Sequence, residues 1–219
     1  NGHPDFTGLA FDLGAEAAVV VGHGNVALDV ARMLAQPLEV LRRTDIPQPV
    51  LERLSSSRIR EIHVVGRGRA ADAKFGAKEL REFADISGCD ALVDPRDLAL
   101  DAVPPRDAEA QEKAALLQAF SPRQPANGKA CVFHFGLSPV AIEGRGRVER
   151  ILLRRASSGA VETWPCGLVL SSIGRRTARI PGVPYDEARG VHANREGRVA
   201  THDGPLARLY ACGWSKRGA

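Results

Sequence analysis

A short apolar run, Ala17-Ala18-Val19-Val20-Val21, leads directly into Gly22-His23-Gly24-Asn25-Val26-Ala27. Apolar residues at helical spacing follow, Val26, Val30, Met33 and Leu34, and Pro37 closes the pattern. Nothing else in the chain restricts its fold as tightly. Five apolar residues without alternation suit a strand buried on both faces. The glycine segment matches G-x-G-x-x-G/A in the setting that gives the pattern meaning, after a strand and opening a helix. Each position has a physical reason. Gly22 permits the sharp strand-to-helix turn, Gly24 has no Cβ to keep a pyrophosphate away, and Ala27 lets the helix pack close to the strand. The helix start then offers N–H groups without helical acceptors, and a partial positive charge, to the phosphates. The same loop could also be a plain glycine turn that binds nothing. His23, inside it, suits a phosphate contact or a solvent-facing filler equally.

A second strand, Glu61-Ile62-His63-Val64-Val65, ends in Gly66-Arg67-Gly68-Arg69. A dinucleotide site selecting NAD places an Asp or Glu at this point for the ribose 2′-OH. Here guanidinium groups stand instead, and they accept a 2′-phosphate through charge-assisted bonds. Such bonds contribute roughly 1.5–3 kcal/mol each, so one contact favours NADP by about ten- to a hundredfold. Arg67 lies 45 positions after Gly22 (67 less 22). An insertion at 37–58, with a short helix at Pro49–Leu54, accounts for the length beyond the usual spacing.

The remaining pattern places helices at 74–85 and 107–120. Cys131–Phe135 and Val148–Leu153 read as strands of an antiparallel excursion, with Gly144-Arg145-Gly146-Arg147 as a turn. Leu168–Ile173 is a further buried strand, and Arg208–Gly213 a last one. The order is that of an α/β, doubly wound Rossmann-type domain with an inserted antiparallel β excursion. Residues 1–13 read as a connector, 14–173 as the dinucleotide-binding domain and 174–219 as the start of another. The chain begins at Asn1 and stops at Lys216-Arg217-Gly218-Ala219, directly after a strand-like run, so a piece of a longer polypeptide is expected.

Composition narrows the function classes. Apolar residues at 44% and charged residues at 26% fit a globular protein and not a disordered one. Aromatics at 5% argue against a stacking single-strand nucleic-acid binder. The formal charge of +4 comes without a run of five or more like charges, so no nucleic-acid tail is expected. No apolar run reaches the ~18 residues of a membrane span. Cys89, Cys131, Cys166 and Cys212 include no C-x-x-C, and the usage is that of a reduced, cytoplasmic chain. Cys166 and Cys212 read as buried small hydrophobes. Six scattered histidines show no metal-ligand spacing, and His63 and His134 read as structural. G-x-S-x-G is absent, so hydrolysis has no nucleophile candidate.

Six blocks in order carry a resemblance: Gly24-Asn25-Val26-Ala27-Leu28-Asp29-Val30-Ala31-Arg32, Thr44-Asp45-Ile46, Val65-Gly66-Arg67, Lys78-Glu79-Leu80-Arg81-Glu82, Pro165 to Gly174, and Cys212 to Gly218. Together they resemble the adrenodoxin-reductase-like family of ferredoxin–NADP reductases. The resemblance implies two dinucleotide domains, FAD held by the terminal parts of the chain and NADP(H) by the inserted part. It implies hydride passing from NADPH to FAD and electrons on to a ferredoxin-type iron–sulfur protein, or the reverse. This chain would be the central NADP domain with the first stretch of the returning FAD domain. By position, Gly24, Asn25, Val26 and Ala27 would hold the pyrophosphate and Arg67 the 2′-phosphate, with Gly22, His23, Gly68 and Arg69 counted among the cofactor-binding residues. Glu79 would lie near the same cofactor, and Trp214 and Gly218 against the FAD. The family commonly has Arg-Arg after the strand glycine. Here the second Arg is Gly68, with Arg69 one place later, which bears on the strength of NADP preference. Cofactors carry such chemistry, so no catalytic side chain and no metal ligand is named. Two other functions fit the glycine motif: a stand-alone NADP(H)-binding module without turnover, and another two-dinucleotide flavoenzyme such as a glutamate-synthase-like small subunit.

Overall fold

Alternation along the strands assigns each residue to one of two cores. In the computed structural model, which describes Asp5 and residues 11–98, 107–120 and 128–218, β1 (Ala17–Val21) is an interior strand of a five-stranded sheet. Its Ala18 and Val20 face one apolar cluster, and Val19 and Val21 face another. A strand buried on both sides cannot alternate polar with apolar, and this is why the sequence reads as an unbroken apolar run. Most of the expected connector at 1–13 lies outside the described residues.

The chain continues through α1 (Asn25–Ala35), α2 (Leu38–Leu41) and α3 (Gln48–Ser55) to β2 (Glu61–Val65). A turn of 3₁₀ helix (Ala70–Asp72), α4 (Ala77–Ala84), β3 (Cys89–Val93), α5 (Pro95–Leu98), α6 (Ala108–Ala119) and β4 (Lys129–His134) follow. Then come β5 (Leu137–Glu143), β6 (Arg150–Arg155), β7 (Val161–Pro165) and β8 (Leu168–Ser171). The central sheet is parallel, in the order β3-β4-β2-β1-β8. Leu28 and Leu34 of α1, Leu80 and Phe83 of α4 and Leu117 of α6 cover one face. On the other face lies the antiparallel sheet β5-β6-β7, through Leu137, Ile151 and Leu153. The α/β class and the antiparallel insertion stand, with strands in place of helices on the second face.

Two strand readings need correction. Cys131–Phe135 does not belong to the antiparallel excursion: β4 pairs in parallel with β2 and β3. Cys131 and Phe133 point into the helical core while His134 points to the opposite face, a two-sided burial that mimics amphipathic alternation. The strand β3 carried no such signal, because Asp90 interrupts its apolar residues. The excursion consists of β5, β6 and β7, with bulged pairing near Pro139.

From β1 the chain moves to β2 on one side, and β8 later lies on the other. The carboxyl ends of β1 and β8 therefore form the switch point at which open α/β sheets bind ligands. The chain forms two compact units, Asn1–Ile173 and Gly174–Ala219. In the second unit β9 (Tyr185–Asp186) pairs with β10 (Val191–His192). A separate three-stranded sheet is formed by β11 (Asn194–Arg195), β12 (Arg198–Thr201) and β13 (Gly204–Tyr210), and α7 (Trp214–Arg217) follows. The expected strand at 208–213 thus begins earlier and ends at Tyr210.

Beneath the antiparallel sheet lies a polar network. His63 Nδ1 and His134 Nε2 approach to 3.2 Å, and Trp164 packs on both rings. Asp97 is fully buried and accepts from the Phe135 N–H at 3.0 Å and Arg155 Nη1 at 2.6 Å. Arg155 Nε also donates to Glu162, which accepts from the Trp164 indole. Burial holds His134 down at about 3, with His63 adding to the effect. Burial likewise holds His23 at about 4. Both imidazoles stay neutral in the fold where an unfolded chain, titrating near 6.5, takes up protons. Their contribution is therefore complete above pH 6.5 and is lost as pH falls toward 4 and then 3. Urea midpoints are expected to drop between pH 7.5 and 5, and His134→Gln to flatten that slope. A midpoint unchanged over this range would contradict the assignment.

Candidate functional site

At the end of β1 the backbone swings through Gly22, whose φ of 136° is open to glycine and strained for other residues. A Cβ on Gly22 would also run into the Ser172 carbonyl, because the Ser172 N–H donates to Val21 O at 2.7 Å. Gly24 then caps α1 with extended backbone and no side-chain hydrogen bond. A Cβ built there meets nothing within 4 Å. The first turn of α1 carries no acidic residue. Its leading N–H groups have no helical acceptor, and no side chain competes for them. Asn25 and Val26 are exposed, while Ala27 is fully buried against the sheet. The result is an open, electropositive helix start at the switch point, suited to a phosphate or diphosphate.

A second loop docks on this one. The His23 carbonyl accepts from the N–H groups of Lys74 and Phe75 at 2.8 and 3.0 Å. Asn25 Oδ1 accepts from the Gly76 N–H at 3.1 Å, joining the start of α1 to the start of α4. The expected helix at 74–85 begins later for this reason: Lys74 and Phe75 are held by His23, and Gly76 is the cap of α4. Glu79, in the first turn of α4, lays its carboxylate over Gly76, in the space a Cβ would fill. Gly22 to Ala27, the turn at 66–69 and Glu79 are thus gathered along one end of the sheet.

The structure places the individual residues as follows. Arg67 is exposed and makes no hydrogen bond or ion pair with a described residue. Gly68 donates no side chain, and its carbonyl accepts from the Gly136 N–H at 2.9 Å. The Arg69 guanidinium is engaged by Asp72, with Nε to Oδ2 at 3.0 Å and Nη2 to Oδ1 at 3.3 Å. His23 is not a solvent-facing filler. Its ring turns inward onto Phe135, centroids 4.6 Å apart, and Phe75 at 6.0 Å, with a buried Nε2 lacking a hydrogen-bond partner.

Sequence reasoning missed Gly66. Its side-chain space is filled by the His23 imidazole, so the residue before Arg67 and the middle of the glycine loop are complementary shapes. No motif signals this, because the two positions lie 43 residues apart (66 less 23). Asp72 was missed for a different reason: it lies only three residues from Arg69, and the 3₁₀ turn that pairs them has no sequence signature.

In the second unit, a cavity of about 700 Å³ is lined by Arg195, Arg198, Tyr210, Trp214, Lys216 and Arg217. Trp214 is 65% exposed, and Gly213 and Gly218 adopt positive φ at either end of α7. Cys212 is exposed beside it, contrary to the buried reading: β13 ends at Tyr210, and Cys212 lies in the turn beyond it. Aromatic faces ringed by cations suit the flat ring and phosphates of a dinucleotide cofactor.

The Gly66 contact generates a test. Gly66→Ala forces the His23 ring out of a filled site and is expected to destabilise the protein by about 1–3 kcal/mol, read as a lower urea midpoint. Combining it with His23→Ala should recover part of that loss, since the ring no longer occupies the space. Strictly additive losses would refute the shape coupling.

No family model matches the chain. Among characterised proteins, NADPH-ferredoxin reductase FprA of Mycobacterium tuberculosis is 39% identical over 237 aligned positions, covering 100% of this chain and 51% of the relative. NADPH:adrenodoxin oxidoreductase, mitochondrial, of Bos taurus is 37% identical over 249 positions, covering 100% of this chain and 49% of the relative. The solved structure of Mycobacterium tuberculosis FprA in complex with NADPH superposes with a TM-score of 0.81 at 36% identity, covering 97% of this chain and 50% of that one. The chain spans about half the length of these relatives. Along its whole length the chain is similar in sequence, and over 97% of it in fold, to about half of these reductases.

Proposed function

We propose that the gene product is a flavin-dependent oxidoreductase that passes a hydride from NADPH to FAD, and electrons on to a ferredoxin-type iron–sulfur protein or in the reverse direction. The observation that carries this reading is the open start of α1, with Gly24 facing free space and joined by hydrogen bonds to the loop after Arg67. The names of the relatives, NADPH-ferredoxin reductase and NADPH:adrenodoxin oxidoreductase, support it.

In this reading residues 14–173 form the NADP domain, 174–219 begin the returning FAD domain, and 1–13 connect from a preceding FAD segment. Gly22, Gly24, Asn25, Val26 and Ala27 receive the pyrophosphate through backbone N–H groups. His23 shapes that loop from inside, and Arg67 meets the 2′-phosphate. Gly68 and Arg69 complete the turn, and Glu79 lies along the ribose side. Trp214 and Gly218 line the FAD site, where Arg195, Arg198, Lys216 and Arg217 supply positive charge for phosphates. Bound together, the two cofactors supply the redox chemistry, and the side chains bind and orient them. No general acid or base is assigned.

The net charge of +4 on this chain is compatible with steering of an acidic electron carrier and locates no docking site. Among the described residues no helix is long and apolar enough to cross a membrane. All four cysteines are free thiols. We assign the protein to the cytoplasm on that usage.

The test is flavin reduction in the intact gene product, titrated with NADPH and with NADH. Arg67→Ala should weaken NADPH by about ten- to a hundredfold, the loss of one charge-assisted phosphate contact, and leave NADH within about twofold. Equal losses would remove the 2′-phosphate role. An intact gene product that purifies without flavin and takes none up would favour the binding module without turnover.

A further inference from the structure

The geometry of Asp72 bears on cofactor choice. The 3₁₀ turn Ala70–Asp72 starts directly after Arg69, and the Asp72 N–H donates to Arg69 O at 3.1 Å. That turn brings the Asp72 carboxylate onto the Arg69 guanidinium in a two-point contact, 3.0 and 3.3 Å. Asp72 also packs on the turn itself: its Cβ lies 3.4 Å from where a Cβ on Gly68 would stand. The Asp72 side chain therefore lies along the segment that carries Arg67.

We infer that Asp72 limits discrimination for the 2′-phosphate by occupying Arg69 and by placing a negative charge beside the Arg67 turn. The inference rests on the NADP reading above. Two effects act in the same direction. The guanidinium that follows Gly68 is already neutralised by a carboxylate fork. A phosphate dianion arriving at Arg67 also meets a like charge on the same turn. The side chains of Arg69 and Asp72 are 39% and 48% exposed, so the pair is solvated and holds weakly. Asp72→Asn removes the charge from this pair, and the turn's backbone hydrogen bond from the Asp72 N–H to Arg69 O does not depend on the side chain. Asp72 is a specificity-determining residue that acts through Arg69, without contact to the reacting atoms.

Calorimetric titration of the intact gene product with adenosine 2′,5′-bisphosphate and with 5′-AMP tests this. Asp72→Asn is expected to bind the bisphosphate about three- to tenfold more tightly, the range of an exposed ion pair released, with 5′-AMP unchanged. Asp72→Glu, which keeps the charge, should retain the wild-type ratio. Arg69→Ala alone should alter the ratio by less than about twofold, and in the Asp72→Asn background it should abolish the gain. The inference is overturned if Asp72→Asn leaves the ratio unchanged or lowers it, the second result meaning that Asp72 orients Arg69 toward the phosphate. It is also overturned if Arg69→Ala alone costs as much as Arg67→Ala, a comparison that holds even should Asp72→Asn fail to fold. A wild-type protein that binds both nucleotides equally, with no loss in Arg67→Ala, refutes the NADP reading itself. A wild-type preference that depends on Arg67 but ignores Asp72 refutes only the inference.

Discussion

The backbone N–H groups that open α1 have no acceptor within the helix, and Gly24 brings no side chain to supply one. Most helix starts satisfy these groups with Ser, Thr, Asp or Asn at the cap. Here the first turn also lacks a carboxylate, so the partial positive charge of the helix end faces open space. Satisfying those donors falls to water or to a bound anion. The surrounding structure serves to keep this end open: Ala27 seats α1 against the sheet, Gly22 turns the chain out of β1, and the sheet order places both at the switch point.

A diphosphate site becomes a dinucleotide site only if a second loop stands at a fixed position. The His23 carbonyl, the Asn25 side chain and the imidazole filling the Gly66 space tie the two loops to each other. These contacts span residues more than forty positions apart and fix Gly66, the residue before Arg67. Beneath them, the buried network of His63, His134, Asp97, Arg155 and Glu162 joins the central sheet to the antiparallel layer. Burial holds its imidazoles below their ordinary value, so this layer, like His23, loses stability in acid.

Local patterns were legible where local physics decides. The apolar run of β1, the glycines after it and the spacing of α1 each follow from neighbours in sequence, and the structure has them at the expected residues. Long-range choices were not legible. His134 and Phe133 alternate as an edge strand would, yet β4 is central, because both faces of the sheet are covered by different layers. One choice that escaped is local: Arg69 reads as a stand-in for the family's second Arg, yet a 3₁₀ turn pairs it with Asp72 three residues on. His23 read as exposed because glycine loops usually are, whereas the space above Gly66 accommodates its ring. Each miss concerns a side chain whose partner is chosen by the fold.

The most direct measurement is a crystal structure of the intact gene product with NADP⁺ bound. The account predicts the pyrophosphate against the N–H groups of residues 24–27 and the 2′-phosphate within hydrogen-bond distance of Arg67. A nucleotide whose phosphates lie away from the start of α1, or whose 2′-phosphate faces solvent far from Arg67, would contradict it.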